Sequence, residues 1–211
     1  VYLASHLHFF LNGFQEKLGQ EEAKIAKEDP ELQPALLEAL RKLSFNALNE
    51  ELNSFYDQFS RIINRFNDTK QHFIHREFFQ KHLNSFFMES ALFNRAYTKP
   101  LGYAGDFEMM NIIYRNQFEG GSVFSQVMSK IDNEGPASKA VRNRRGYLQS
   151  KIAEVIRHTA EGCTGKVISV ACGPCLEMYD MLGEIKNHRL PTKLEVIAMD
   201  QDRLALENAR T

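Results

Sequence analysis

From Leu36 to Phe66, apolar residues return every three or four positions: Leu36, Leu40, Leu43, Ala47, Leu48, Leu52, Phe55, Phe59, Ile62, Ile63 and Phe66. One stripe at that spacing predicts a long amphipathic helix. Pro30 and Pro34 precede it and suit a first helical turn, where a missing N–H costs little. Val1 to Leu18 shows the same period and predicts an earlier helix. A third is expected over about Lys70 to Tyr97, with Phe73, Phe79, Phe86 and Phe87 as core candidates. These elements together predict a helical bundle.

The pattern then breaks. Pro100, Gly102 and Gly105 punctuate Thr98 to Asp106 and stop helix formation. Asp106 is placed to cap a helix from Phe107 to Asn116 by accepting from free backbone N–H groups. Gly120-Gly121 ends it, Ser122 to Ile131 predicts another turn or two, and Asn133-Glu134-Gly135 reads as a turn. Pro136 opens a long helix to about Ala160, which Gly162 and Gly165 close. The period changes at Lys166. Val167, Ile168, Val170 and Ala171 form a short apolar run, expected for a parallel strand buried on both faces. A second strand, Leu194 to Met199, ends on Asp200, and Asp202 to Arg210 is amphipathic again.

Composition changes this picture in two ways. All 16 phenylalanines lie between Phe9 and Phe124, which divides the chain. The expected domains are a helical N-terminal domain over 1–124, a linking turn and helix over 125–165, and an α/β region over 166–211. Charge excludes some functions. Formal net charge is -1 with no long basic stripe, so phosphate neutralisation on nucleic acid is not indicated. No apolar run nears the roughly 20 residues that span a bilayer. The apolar start carries His6 and His8 and lacks a basic n-region, so it reads as an amphipathic helix and not a signal peptide. Three cysteines make no disulfide framework, and a reducing cytoplasm is the expected compartment. A first residue other than Met, and a helical pattern that runs to Thr211, make a fragment of a longer protein the expectation.

The candidate chemistry lies in Val170-Ala171-Cys172-Gly173-Pro174-Cys175. Between a strand and a helix start, small residues let a ligand approach the backbone, as in nucleotide-binding α/β units. An acid at the end of the next strand, here Asp200, accepts from ribose hydroxyls in such units. The same letters spell a Cys-x-x-Cys redox motif, in which the helix N-terminus would lower the pKa of the Cys172 thiol. Against that reading, the chain has no Trp, and nothing upstream reads as strand.

Val167 to Glu177 resembles the first motif of class I S-adenosylmethionine-dependent methyltransferases, and Val196 to Asp202 resembles their second. The segment Pro100-Leu101-Gly102-Tyr103-Ala104-Gly105-Asp106-Phe107-Glu108-Met109-Met110 is similar to a bacterial subgroup with a helical N-terminal region. That subgroup includes extracellular-factor (3-hydroxypalmitic acid methyl ester) biosynthesis proteins. The resemblance covers about Thr98 to Thr211. It implies an α/β fold, with an all-α helical N-terminal domain followed by the first part of a Rossmann-like methyltransferase core. It also implies S-adenosylmethionine as cofactor, and a small-molecule acceptor such as a fatty-acid-derived carboxylate that would give a methyl ester. The implied cofactor-binding residues are Ala171, Cys172, Gly173, Pro174, Asp200 and Gln201, with Tyr103 stacking and Asp106 as a polar contact from the Gly102–Asp106 loop. Two departures stand out. The family's glycine pattern is reduced to Gly173, with Ala171 and Cys175 at the flanking small positions. The step from Gly173 to Asp200 is 27 residues, longer than the roughly 20 of a compact dinucleotide unit. The core expected of the family has further strands beyond the two seen here.

Arg142, Arg144 and Arg145 lie on the helix before the first strand. Arg144 is the candidate for a methionine carboxylate, since Arg pairs bidentately with carboxylates; the alternative is a solvated helix face. The Gly102–Asp106 loop has its own plainer reading as a turn with an N-cap. His72, His75 and His82 fall near one helical face, but no Cys or paired carboxylate joins them, so no metal is expected. No catalytic residue is assigned. Two further functions stay open beside methyl transfer: a helical regulatory or dimerisation module without activity, the helical domain being the candidate homodimer surface, and a thioredoxin-like redox protein using Cys172 and Cys175.

Overall fold

The computed structural model of the protein describes residues 1–66, 68–159, 163–186 and 193–210. In chain order the elements are α1 (Tyr2–Ile25), α2 (Gln33–Ile63), α3 (Thr69–Phe87), α4 (Ala91–Thr98), α5 (Phe107–Arg115) and α6 (Val123–Glu134). There follow α7 (Pro136–His158), β1 (Thr164–Val170), α8 (Leu176–Lys186), β2 (Lys193–Met199) and α9 (Arg203–Asn208). The described chain is mostly helical, with one small parallel sheet. None of its helices is long and apolar enough to cross a membrane.

The chain divides into two compact units. The first takes Val1–Thr98 and Asn116–Glu134, the second Lys99–Arg115 and Gly135–Thr211. This differs from the sequential division expected at 124 and 165. The reason lies in α6 and α7. Val123, Phe124, Val127, Met128 and Ile131 of α6 are buried in the helical core with Leu7, Leu11, Leu48, Leu52 and Leu83. Residues of α7 instead pack under the sheet, where Ala153 and Ile156 meet Met181 of α8 and Leu194 of β2.

In the first unit, Pro34 sits in the first turn of α2, and the Asp68 side chain caps α3 by accepting from the Lys70 N–H at 2.9 Å. The single helix expected over 70–97 is two. The chain turns at Glu89-Ser90, where the Ser90 hydroxyl accepts from the Phe93 N–H and starts α4. Ring contacts run through the core, with Phe55 to Phe79 at 6.2 Å and Phe79 to Phe87 at 5.7 Å between centroids. Phe86 and Phe87 are buried as expected, whereas Phe73 is 53% exposed. From the long stripe of α2, Leu43 is exposed while Leu48, Leu52 and Phe55 are buried, so the apolar face is partly open at the start of that helix. His8 and His72 each bond a backbone carbonyl, of His82 and Phe66 respectively. No metal-holding group of His, Cys, Asp or Glu occurs among the described residues.

In the second unit, β1 and β2 pair in parallel, Val167 opposite Val196 and Val170 opposite Met199. The strand was expected to be buried on both faces. Its pattern alternates instead: Val167 and Ser169 are partly buried while Ile168 is 62% and Val170 74% exposed. Ile152, Met178, Leu206 and Ala209, from α7, α8 and the α9 end, pack with Val167, Val196 and Ala198. The opposite face of the sheet is open among the described residues. The expected helix stop at Gly162 lies outside the described residues.

Candidate cofactor site

The second unit carries a cleft of about 840 Å³ at the carboxyl ends of β1 and β2. Such a volume falls within the range of small-molecule sites. Its floor is Ser169 to Pro174 with Met199, Asp200 and Gln201, and its side wall is Tyr103, Phe107, Met110, Tyr114 and Leu148. Arg144 and Glu177 add charge to the rim.

The floor is held by a strained turn. Ala171, Gly173 and Cys175 all have φ of 54°, the left-handed region in which a Cβ costs roughly 1–2 kcal/mol. Three alternate positions therefore share a conformation suited to glycine, although only one is glycine. A Cβ built on Gly173 meets no protein atom within 4 Å. Backbone conformation, not crowding by neighbouring atoms, is what makes glycine suit that position. The strain sits at Ala171 and Cys175, since glycine takes this conformation freely. Ala171 is exposed and buries nothing that glycine would lose. Ala171→Gly relieves the Cβ penalty and adds back part of it as chain entropy, so it is expected to stabilise the second unit by up to about 1 kcal/mol. Chemical denaturation against the unaltered protein measures this directly.

Asp200 locks the turn. Its Oδ2 accepts from the Gly173 N–H at 2.9 Å and its Oδ1 from the Asp202 N–H at 2.9 Å. The Cys172 N–H donates to the Met199 carbonyl at 3.0 Å, which extends the sheet pairing into the turn. Each carboxylate oxygen keeps a second lone pair for a ligand hydroxyl. The acid is thus oriented before any ligand arrives.

The cysteines are buried, Cys172 7% and Cys175 5% exposed, and both are free thiols. Burial, then the Asp200 carboxylate, pushes the Cys172 thiol up. Burial, then Glu177, pushes Cys175 up to about 12. The redox reading needs a low-pKa thiolate at Cys172. Here the nearby carboxylates oppose one.

The expected site residues fare unequally. Ala171, Cys172, Gly173, Pro174, Asp200, Gln201, Tyr103 and Arg144 all line the cleft. Asp106 does not. Its carboxylate is 1% exposed and caps α5, with Oδ1 accepting from the Met109 N–H at 2.8 Å. The plainer reading of that residue is the observed one, because a short side chain at a helix start is captured by the free N–H groups there. The three arginines of α7 go separate ways. Arg142 donates to the Ile113 carbonyl. Arg145 gives both Nε and Nη2 to Asp180 Oδ2, at 2.8 and 2.5 Å, and lies 5.4 Å over the Tyr114 ring. Gln149 donates to the same oxygen. Only Arg144 lines the cleft, and Arg145 instead braces its wall.

Residues not singled out from sequence complete the site: Phe107, Met110, Tyr114, Leu148 and Glu177. One signal for the first three was present. Phe107, Met110 and Tyr114 recur at i, i+3 and i+7 on α5, while Ile112 and Ile113 of the same helix are buried. A short helix with apolar residues on two sides serves two surfaces. Compared with protein-family models, curated protein sequences and solved structures, the chain finds no match.

Proposed function

We propose that the second unit is the start of a Rossmann-like core that binds S-adenosylmethionine, and that the protein transfers its methyl group to a small molecule. The observation that carries this reading is the pairing of the strained Ala171-x-Gly173-x-Cys175 turn with Asp200, at the carboxyl ends of two parallel strands. Ligands of open α/β sheets bind at such strand ends.

Charge favours this cofactor over a dinucleotide. The acidic and basic side chains lining the cleft are Glu177 and Asp200 against Arg144. A pyrophosphate would meet two carboxylates and one guanidinium. S-adenosylmethionine carries a sulfonium, an ammonium and one carboxylate, which suits two acids and one base. The residues would divide the work. The turn offers close backbone approach, Asp200 accepts from the ribose hydroxyls, Arg144 pairs with the amino-acid carboxylate, and Tyr103 stacks on a ring. Phe107, Met110, Tyr114 and Leu148 form an apolar wall that excludes water and suits an acceptor with an apolar body.

When bound, the cofactor supplies an already activated methyl group. The protein's part is alignment of the acceptor in line with it, which lowers most of the barrier by positioning. A carboxylate acceptor, such as a fatty-acid-derived one, is ionised at neutral pH and needs no general base. The thioredoxin-like alternative loses ground because both thiols are held protonated.

Titration calorimetry with S-adenosylmethionine tests the proposal. Saturable one-to-one binding is expected, and Arg144→Ala is expected to weaken it about tenfold, the worth of one charge-assisted hydrogen-bonded pair. No binding by the unaltered protein would overturn the reading.

A further inference from the structure

The loop between α4 and α5 is tied to the cleft by one side chain. Gly102 and Gly105 have φ of 86° and 78°, and the Gly102 N–H donates to the Lys99 carbonyl at 2.8 Å. Between them Tyr103 donates its Oη–H to Asp202 Oδ2 at 3.3 Å. Among the described residues this is the one side-chain hydrogen bond made by residues 99–105.

Asp202 serves three neighbours. Its Oδ1 accepts from the Leu204 N–H at 2.9 Å and caps α9, its backbone N–H donates to Asp200 Oδ1, and its Oδ2 takes the Tyr103 phenol. An unbroken run of hydrogen bonds thus leads from Tyr103 through Asp202 and Asp200 to the Gly173 N–H. Tyr103 and Gly105 line the cleft along with Gly173 and Asp200, whereas Asp202 itself does not. At 3.3 Å the phenol bond is longer than the usual 2.7–2.8 Å or so of an O–H···O pair.

On the cofactor reading given above, we propose that Asp202 is a positioning residue: by accepting from Tyr103 it holds the Gly102–Asp106 loop against the cleft and sets how long S-adenosylmethionine stays bound. Asp202 does not itself touch the cofactor. Tyr103 carries its hold, and Asp200 registers the same bond through the Asp202 backbone.

Two substitutions separate this role from helix capping. Tyr103→Phe removes only the hydroxyl. Asp202→Ser keeps an N-cap side chain but is too short to reach Tyr103. Stopped-flow dissociation of S-adenosylmethionine is expected to quicken about fivefold in each variant, the worth of one ordinary hydrogen bond. The double variant is expected to be no faster than either single one, because both remove the same contact. Amide hydrogen exchange at 102–106, without cofactor, is expected to quicken in both. An unchanged dissociation rate in Tyr103→Phe, or additive effects in the double variant, would overturn the proposal and leave Asp202 a helix cap. Failure of the unaltered protein to bind S-adenosylmethionine would instead overturn the cofactor reading. In that case unchanged exchange at 102–106 in both variants would overturn the loop-holding role as well, and faster exchange would sustain it.

Discussion

Asp200→Ala is expected to weaken S-adenosylmethionine binding by at least 100-fold. Two losses combine. On the proposed reading the ribose hydroxyls lose a carboxylate acceptor, and hydrogen bonds to charged groups are worth about 1.5–3 kcal/mol. The Gly173 and Asp202 N–H groups lose their shared partner, so the turn is no longer held in the shape the ligand meets. Asp200→Asn separates the two. Its amide keeps one oxygen for one N–H and turns an NH2 towards the other, so it is expected to bind better than Ala and worse than Asp. Calorimetry gives the affinities, and hydrogen exchange at Gly173 reports the turn. Full affinity in Asp200→Ala, with a loosened turn, would make the acid a brace and not a ligand.

The second large effect concerns the helical unit and pH. Asp132 on α6 is partly buried, and burial raises its pKa from 3.8 to about 6, offset in part by a hydrogen bond from Ser90. An acid whose pKa is raised on folding favours the folded state while protonated. Its contribution is complete below about pH 4 and is lost as pH rises through about 6. That rise corresponds to at most about 3 kcal/mol, and partial exposure trims it to about 2. Asp132→Asn holds the group neutral at every pH. The stability difference between variant and unaltered protein is therefore expected to grow from near zero at pH 4 to about 2 kcal/mol in favour of the variant at pH 7. Hydrogen exchange along α6 at both pH values measures it. A constant difference across that range would exclude Asp132 as the titrating group.

What could be read from the sequence follows the range of the interactions involved. The turn Ala171 to Cys175 was legible because strand end, small residues and helix start are contiguous, and Asp200 because it directly follows the apolar run of the second strand. Helix periods, the first-turn prolines Pro34 and Pro136, and the Asp106 cap were legible for the same reason. The wall of Phe107, Met110, Tyr114 and Leu148 was not. It depends on α5 meeting α7; the second apolar side of α5 shows in its spacing, but what that side faces does not. The interleaving of the two units is not legible on similar grounds, since the burial of Phe124 and Met128 against α1 and α2 is a long-range fact. The break at Ser90 hid inside a stretch whose aromatic spacing reads as continuous helix.

The interleaving of the two units constrains how this protein could be taken apart or exchanged. The chain passes from one unit to the other after Thr98, after Arg115 and after Glu134. No single cut in the coding sequence yields both units whole. A gene fragment starting at Gly135 keeps the strands, the turn and Asp200, yet leaves Tyr103, Phe107, Met110 and Tyr114 behind with the other piece. Recombination that replaced the segment before Gly135 would therefore exchange one wall of the cleft while keeping its floor. The apolar wall of the cleft could thus be inherited separately from its floor.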